Sequence, residues 1–152
     1  MIKIICVGKI KENYLKDAIE EYRKRLSKYT KLEIIELEDE SKNNILELEK
    51  EKIMKYINSK DYIITLEIEG KELTSLDLAN KISNTFITNP NITFIIGGSY
   101  GLHDEIKKLS NMALSFSKLT FPHQLFRVML LEQIYRAFKI NNNETYHKWI
   151  KI

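Results

Sequence analysis

Short apolar runs alternate along the whole chain with longer segments whose apolar residues recur at three and four, and this alternation restricts the fold more than any other feature. Ile2 to Val7 stops at Gly8 and is followed by a stripe of Leu15, Ala18, Ile19, Tyr22, Leu26 and Tyr29, with Lys16, Glu20, Arg23 and Lys24 facing away. Leu32 to Leu37 leads through Glu38-Asp39-Glu40-Ser41 to a second stripe of Ile45, Leu48, Ile53, Tyr56 and Ile57. Tyr62 to Ile68 closes at Gly70, and Thr74-Ser75 is the expected N-cap of a helix bearing Leu78, Ala79 and Ile82. Ile92 to Ile96, a short helix near Asp104 to Leu109, Ala113 to Phe116 and a helix from Pro122 to Ile140 complete the series. Strand and helix in strict turn predict a single α/β domain over residues 1–152, with a largely parallel sheet covered by helices.

At 152 residues the chain is about one domain in size, and 43% hydrophobic with 30% charged residues suits a packed core in water. No run approaches the roughly 20 apolar residues that cross a bilayer, so no membrane partner is expected. Lys3 interrupts the first apolar run and no small-residue cleavage pattern follows, which argues for a strand rather than a signal sequence. The lone Cys6 excludes a disulfide within the chain and points to a reducing, cytoplasmic setting; inside a strand it is expected to be buried and inert. Charge is unevenly spread. Residues 1–32 carry nine Lys/Arg against four Asp/Glu, residues 33–51 carry two against eight, and residues 118–152 carry six against two. Basic segments at both ends fit a phosphate-bearing partner, although solvated helix faces would look the same.

Two loops stand out as a candidate site. Gly97-Gly98-Ser99-Tyr100-Gly101 follows the fourth strand, and Ser115 to Gln124 follows the fifth. A dinucleotide fingerprint would need Gly-x-Gly-x-x-Gly after the first strand, and a phosphate loop would need Gly-Lys-Ser/Thr, so both fail here. What remains is a turn whose glycines let backbone approach a ligand closely, or a merely tight turn. His103, His123 and His147 have neither metal-ligand spacing nor a Cys partner, so no metal is expected, and no Gly-x-Ser-x-Gly elbow exists. The last helix is apolar nearly all round, from Leu125 to Ile140; one face suits the sheet and the other a second copy of itself.

Several blocks together resemble the ribosomal RNA large subunit methyltransferase H family. They are Val7-Gly8-Lys9, Thr65 to Lys71, Ile95 to Gly101, Leu114 to Gln124, Arg127, Leu131 to Ile140 and Tyr146-His147-Lys148, in the family's order and spacing. The resemblance implies a SPOUT-type fold with a C-terminal trefoil knot, which no periodicity could show and which is rare among folds. It implies a homodimer that uses S-adenosylmethionine to methylate nitrogen 3 of a pseudouridine in large-subunit (23S) ribosomal RNA, in the assembled ribosome. By position, Leu66, Gly97 and the run Phe116, Ser117, Lys118, Leu119, Thr120, Phe121 would hold the cofactor, with Gly98 beside Gly97 in the same turn.

Methyl transfer needs an in-line approach and an acceptor nitrogen that has lost its proton, not a metal. For a base, or a cation that stabilises the anion, His147 and Tyr146 on the tail are the first candidates to act on the pseudouridine, with Arg136 and His123 next. His123 could instead cap the last helix, and Arg136 could pair with Glu132 four residues back. Two departures from the family's usual pattern concern the tail: Thr145 stands where Pro is common, and Trp149-Ile150-Lys151-Ile152 continue past the usual end.

Overall fold

The computed structural model describes residues 1–41 and 43–148; the extension Trp149 to Ile152 lies outside them. Ten elements follow in the expected alternation: β1 (Ile2–Val7), α1 (Asn13–Leu26), β2 (Leu32–Leu37), α2 (Ile45–Met54), β3 (Asp61–Glu72), α3 (Ser75–Thr88), β4 (Asn91–Ile96), α4 (Asp104–Leu109), β5 (Met112–Ser115) and α5 (His123–Asn141). The five strands form one parallel sheet in the order β2-β1-β4-β3-β5. The expected α/β architecture is therefore the one found. α2 ends at Met54, short of the expected Tyr56 and Ile57, and Tyr56 is exposed.

Helices cover both faces, which is why β1, at the second position in the sheet, is buried at every residue. Its residues alternate between two cores. Ile2, Ile4 and Cys6 join Ile64, Phe94 and Ile96 beneath α1, α3 and α5, while Ile5 and Val7 join Ile63 and Ile95 beneath α2 and α4. Cys6 is buried as expected, and burial pushes its thiol up to about 12. Thr74 caps α3, accepting from the Asp77 N–H at 3.0 Å while Asp77 accepts from the Thr74 N–H at 3.3 Å.

α5 packs against both α1 and α3 and turns Leu130, Leu131, Ile134 and Ala137 fully inward. Much of its all-round apolar character is thereby used within one chain. Its outward strip is Leu125, Val128, Met129, Glu132 and Arg136, of which Leu125 is the most exposed.

One buried ion pair pins the other end of the sheet. Lys3 Nζ lies 3.4 Å from Asp61 Oδ2 and donates to the Tyr56 carbonyl, while Asp61 also accepts from Asn58 N, Asn91 Nδ2 and Thr93 Oγ1. Three of these contacts fall on Oδ2 and one on Oδ1, so both oxygens of the carboxylate have partners, which offsets the cost of burying it.

Candidate active site

Three loops at the C-terminal ends of neighbouring strands β4, β3 and β5 enclose a cleft of about 470 Å³. The first is the Gly97–Gly101 turn. Gly98 and Gly101 pair across it, with Gly101 N–H donating to the Gly98 carbonyl at 3.1 Å, and Gly101 sits at φ +77°. A Cβ on Gly97 would lie 2.5 Å from the Gly101 carbonyl oxygen, so glycine is demanded there by the chain's own backbone. Gly98 packs its bare Cα against Val7 and the buried Glu49 carboxylate. Burial, then the neighbouring charges of Asp39 and Glu40, push Glu49 above the usual carboxylate range, against the pull of Lys52.

The second wall comes from β3. Its pairing with β5 shifts between Leu66 and Lys71, so residues 67–70 bulge out of the ladder, and Leu66 to Glu69 line the cleft. Gly70 permits this because a Cβ there would lie 2.8 Å from the Ala113 backbone. Sequence reasoning ended this strand near Ile68 and missed the bulge; Gly70 was the available signal.

The third wall is the β5–α5 connection. Ser115 Oγ lies 3.0 Å from the Ile68 carbonyl and 3.1 Å from that of Ser117, which ties this loop to the β3 bulge. Ser117 Oγ accepts from the Leu119 N–H at 3.0 Å and tightens the turn. Phe116 meets Phe126 of α5 edge-on at 4.7 Å, and Phe121 stacks on the same ring at 6.1 Å. Of the residues expected around a cofactor, Leu66, Gly97, Gly98, Phe116, Ser117, Leu119, Thr120 and Phe121 line this one cleft. Lys118 does not; it is exposed. Glu67, Glu69, Leu102 and Phe126 line it unforeseen.

His123, the first residue of α5, also lines the cleft and makes no capping bond. Its Nε2 lies against Gly8, which at φ +97° is kept free of a side chain between that ring and the Asp39 carboxylate. Gly8 is held from behind by Arg127. That guanidinium is fully buried and donates to the Gly8 carbonyl at 2.9 Å and to Glu36 at 2.6 Å, and Glu36 accepts in turn from the Ile10 N–H.

The remaining catalytic candidates form a separate cluster at the far end of α5. Arg136 pairs with Glu132 at 2.6 Å, lies 3.1 Å from His147 Nδ1, and covers the Tyr146 ring at 4.8 Å; Tyr146 in turn meets Tyr135 edge-on at 5.0 Å. The bonds to Glu132 hold the Arg136 guanidinium above its already high range. Thirteen residues of helix separate Arg136 from His123, about 20 Å at 1.5 Å per residue. Arg136, Tyr146 and His147 are thus together, and His123 is apart from them.

Among the described residues no cluster of His, Cys, Asp or Glu could hold a metal, and no helix is long and apolar enough to cross a membrane. A family model described as predicted SPOUT methyltransferase matches residues 1–147. A protein of Clostridium botulinum (strain Alaska E43) named ribosomal RNA large subunit methyltransferase H is 54% identical, over 97% of this chain and 99% of its own. One of the same name from Caldicellulosiruptor saccharolyticus is 49% identical, over 97% of this chain and 100% of its own. A solved structure described as a probable methylase family protein from Haemophilus influenzae Rd KW20 superposes with a TM-score of 0.57 at 16% identity, covering 99% of this chain and 72% of that one, and so matches in fold.

Proposed function

The chain belongs to the SPOUT methyltransferase family, and from that premise we propose that it methylates nitrogen 3 of a pseudouridine in large-subunit ribosomal RNA, with S-adenosylmethionine as donor and as a homodimer in the cytoplasm. The name and identity of the relatives support the substrate. The cleft supports the donor: about 470 Å³ suits a ligand of that size, and its walls offer backbone groups and apolar rings in place of a phosphate cradle. Glu67 and Glu69 line the cleft and would offer negative charge to a cationic sulfonium, and Lys107, 3.9 Å from Glu67, would offer a positive charge to a carboxylate. When bound, S-adenosylmethionine supplies a methyl group on a good leaving group. The reading includes the trefoil knot, which membership of the SPOUT family supports.

The observation that carries the mechanism is the separation of about 20 Å between His123 and the Arg136–Tyr146–His147 cluster, because one protomer cannot bring both to one base. A second copy can. If two α5 helices pack antiparallel along the strip Leu125, Val128, Met129, Glu132, Arg136, with the two-fold midway between Met129 and Glu132, the partner's Arg136 falls within about 3 Å of His123 along the axis. The chain's residues then divide the work. The cleft orients the donor and excludes water, Tyr146 offers a ring for the extruded base, and Arg136 steadies the charge left when the imide proton departs. His147 or His123 takes that proton.

The test mixes two inactive proteins and measures methylation of ribosomes. One is truncated after Asn143; the other is a cleft variant shown by calorimetry not to bind S-adenosylmethionine, Gly97→Val or, if that does not fold, Leu119→Glu at the exposed rim. A shared site predicts recovery of up to half the activity per mixed dimer. No recovery despite proven subunit exchange refutes sharing, and a wild type that leaves ribosomal RNA unmethylated refutes the function.

A further inference from the structure

The two basic segments at the ends of the sequence meet in space, and nothing in the cleft or the tail cluster uses most of their charges. α1 lies against α5 through rings: Tyr22 and Tyr29 each stand 6.2 Å from Tyr135, and Tyr29 stacks on Phe138 at 5.9 Å. The tail is tied to the same place, since Tyr29 Oη donates to Glu144 at 2.8 Å and Glu144 accepts from Lys139. Lys28 is close enough to Glu144 to help hold that carboxyl low, after Lys139 and Tyr29. The end of α1, the end of α5 and residues 144–148 therefore make one surface, at the edge of the molecule opposite the cleft.

On this surface Arg23 and Arg25 are paired with Glu20 and Glu21, and Lys139 with Glu144. Lys24, Lys28, Lys31 and Lys148 are exposed, and among the described residues none has a carboxylate within ion-pair distance. Cations in the last turn of a helix are favoured by its dipole, which accounts for Lys24. Lys28 and Lys31 lie beyond the helix end, where that explanation stops.

We propose that this α1–α5 surface, through Lys24, Lys28 and Lys31, binds the phosphate backbone of the RNA substrate. The proposal rests on the function given above and adds where the RNA lies. Exposed lysines with no carboxylate partner suit a polyanion, which rewards them by releasing its counterions. In an antiparallel dimer of the kind proposed above, the surface of one protomer would adjoin the cleft of its partner, and RNA held by one would be presented to the donor held by the other.

The test compares wild type with a Lys24→Ala/Lys28→Ala/Lys31→Ala variant, none of which lies in the cleft or the tail cluster. Affinity for a fragment of large-subunit ribosomal RNA is measured against salt, alongside ribosome methylation kinetics. The log–log salt slope is expected to fall by roughly two, at about 0.7–0.9 for each phosphate that is no longer neutralised. KM for ribosomes is expected to rise at least tenfold near physiological salt, with kcat and S-adenosylmethionine affinity unchanged. An unchanged slope overturns the proposal. So does a raised ribosome KM with an unchanged slope on naked RNA, which would assign the surface to a ribosomal protein. Because RNA binding is read without methylation, a wild type that binds RNA by these lysines yet never methylates it would refute the function and leave the surface standing.

Discussion

Gly97→Ala separates two reasons for a glycine in a binding loop. If the ligand needs the space, alanine weakens binding and leaves the free protein alone. The geometry argues for the other reason. The added Cβ would lie 2.5 Å from the Gly101 carbonyl oxygen, 2.7 Å from its carbon and 3.1 Å from Leu102 Cδ2. Real Cβ atoms do not approach closer than 3.0 Å, so the facing backbone must retreat by at least about 0.5 Å, in a turn already closed by the Gly98–Gly101 pairing. Forcing a methyl into such a space costs about 1–3 kcal/mol. Borne by the binding-competent loop, that is a roughly 5- to 150-fold rise in Kd for S-adenosylmethionine by calorimetry. Borne by the fold, it is a melting point lower by about 2–12 °C for a chain of this length. Both shifts are expected, and the second appears without ligand present. Gly101→Asn is the control, because its Cβ meets nothing within 4 Å and asparagine accepts a positive φ. Unchanged Kd and melting point in Gly97→Ala, or a larger loss in Gly101→Asn, would refute the argument.

Asp61→Ala leaves the Lys3 ammonium buried against the Tyr56 carbonyl alone, and urea unfolding should show a loss of about 3–5 kcal/mol, with Lys3→Met/Asp61→Asn losing less than the sum of its parts. Leu130→Glu places a charge in the core and should not fold, whereas Leu125→Glu on the exposed strip should fold and run as a monomer in light scattering. Because the folded Cys6 thiol is raised to about 12 from roughly 8.5 when unfolded, its contribution to stability is complete below about pH 8.5 and is lost as pH climbs toward 12. Urea midpoints at about pH 8 and pH 10.5, which bracket the start of that window, should therefore fall further apart in wild type than in Cys6→Ala.

Element type and order were legible in the sequence because each run carried a single period and the breaks fell at Gly8, Gly70, Pro90 and Pro122. Direction of burial was less so. α5 reads as apolar on every side, and only packing reveals that Leu130 meets the sheet while Leu125 stays outside, since three neighbours compete for one helix. At the cleft, the run Phe116 to Phe121 was found by resemblance, yet exposed Lys118 shows that a loop's sequence does not say which of its side chains turn inward. The bulge at residues 67–70 escaped notice because a register shift depends on the partner strand. Arg127 was visible as part of the family pattern, but its burial was not, because its two partners lie 91 and 119 residues away.

That last separation sets an order of events during synthesis. A guanidinium cannot leave water until both of its acceptors are in place, so Arg127 can seat only after β1 has set the Gly8 carbonyl and β2 has set Glu36. Among the described helices α5 is also made after the others, and chains fold from the N-terminus as they emerge. Until it docks, Ile4, Ile64 and Phe94 lack their cover on one side, and the nascent chain carries an open, sticky sheet face. Between the making of β5 and the seating of α5 that face stays open, and slowing translation there should raise aggregation.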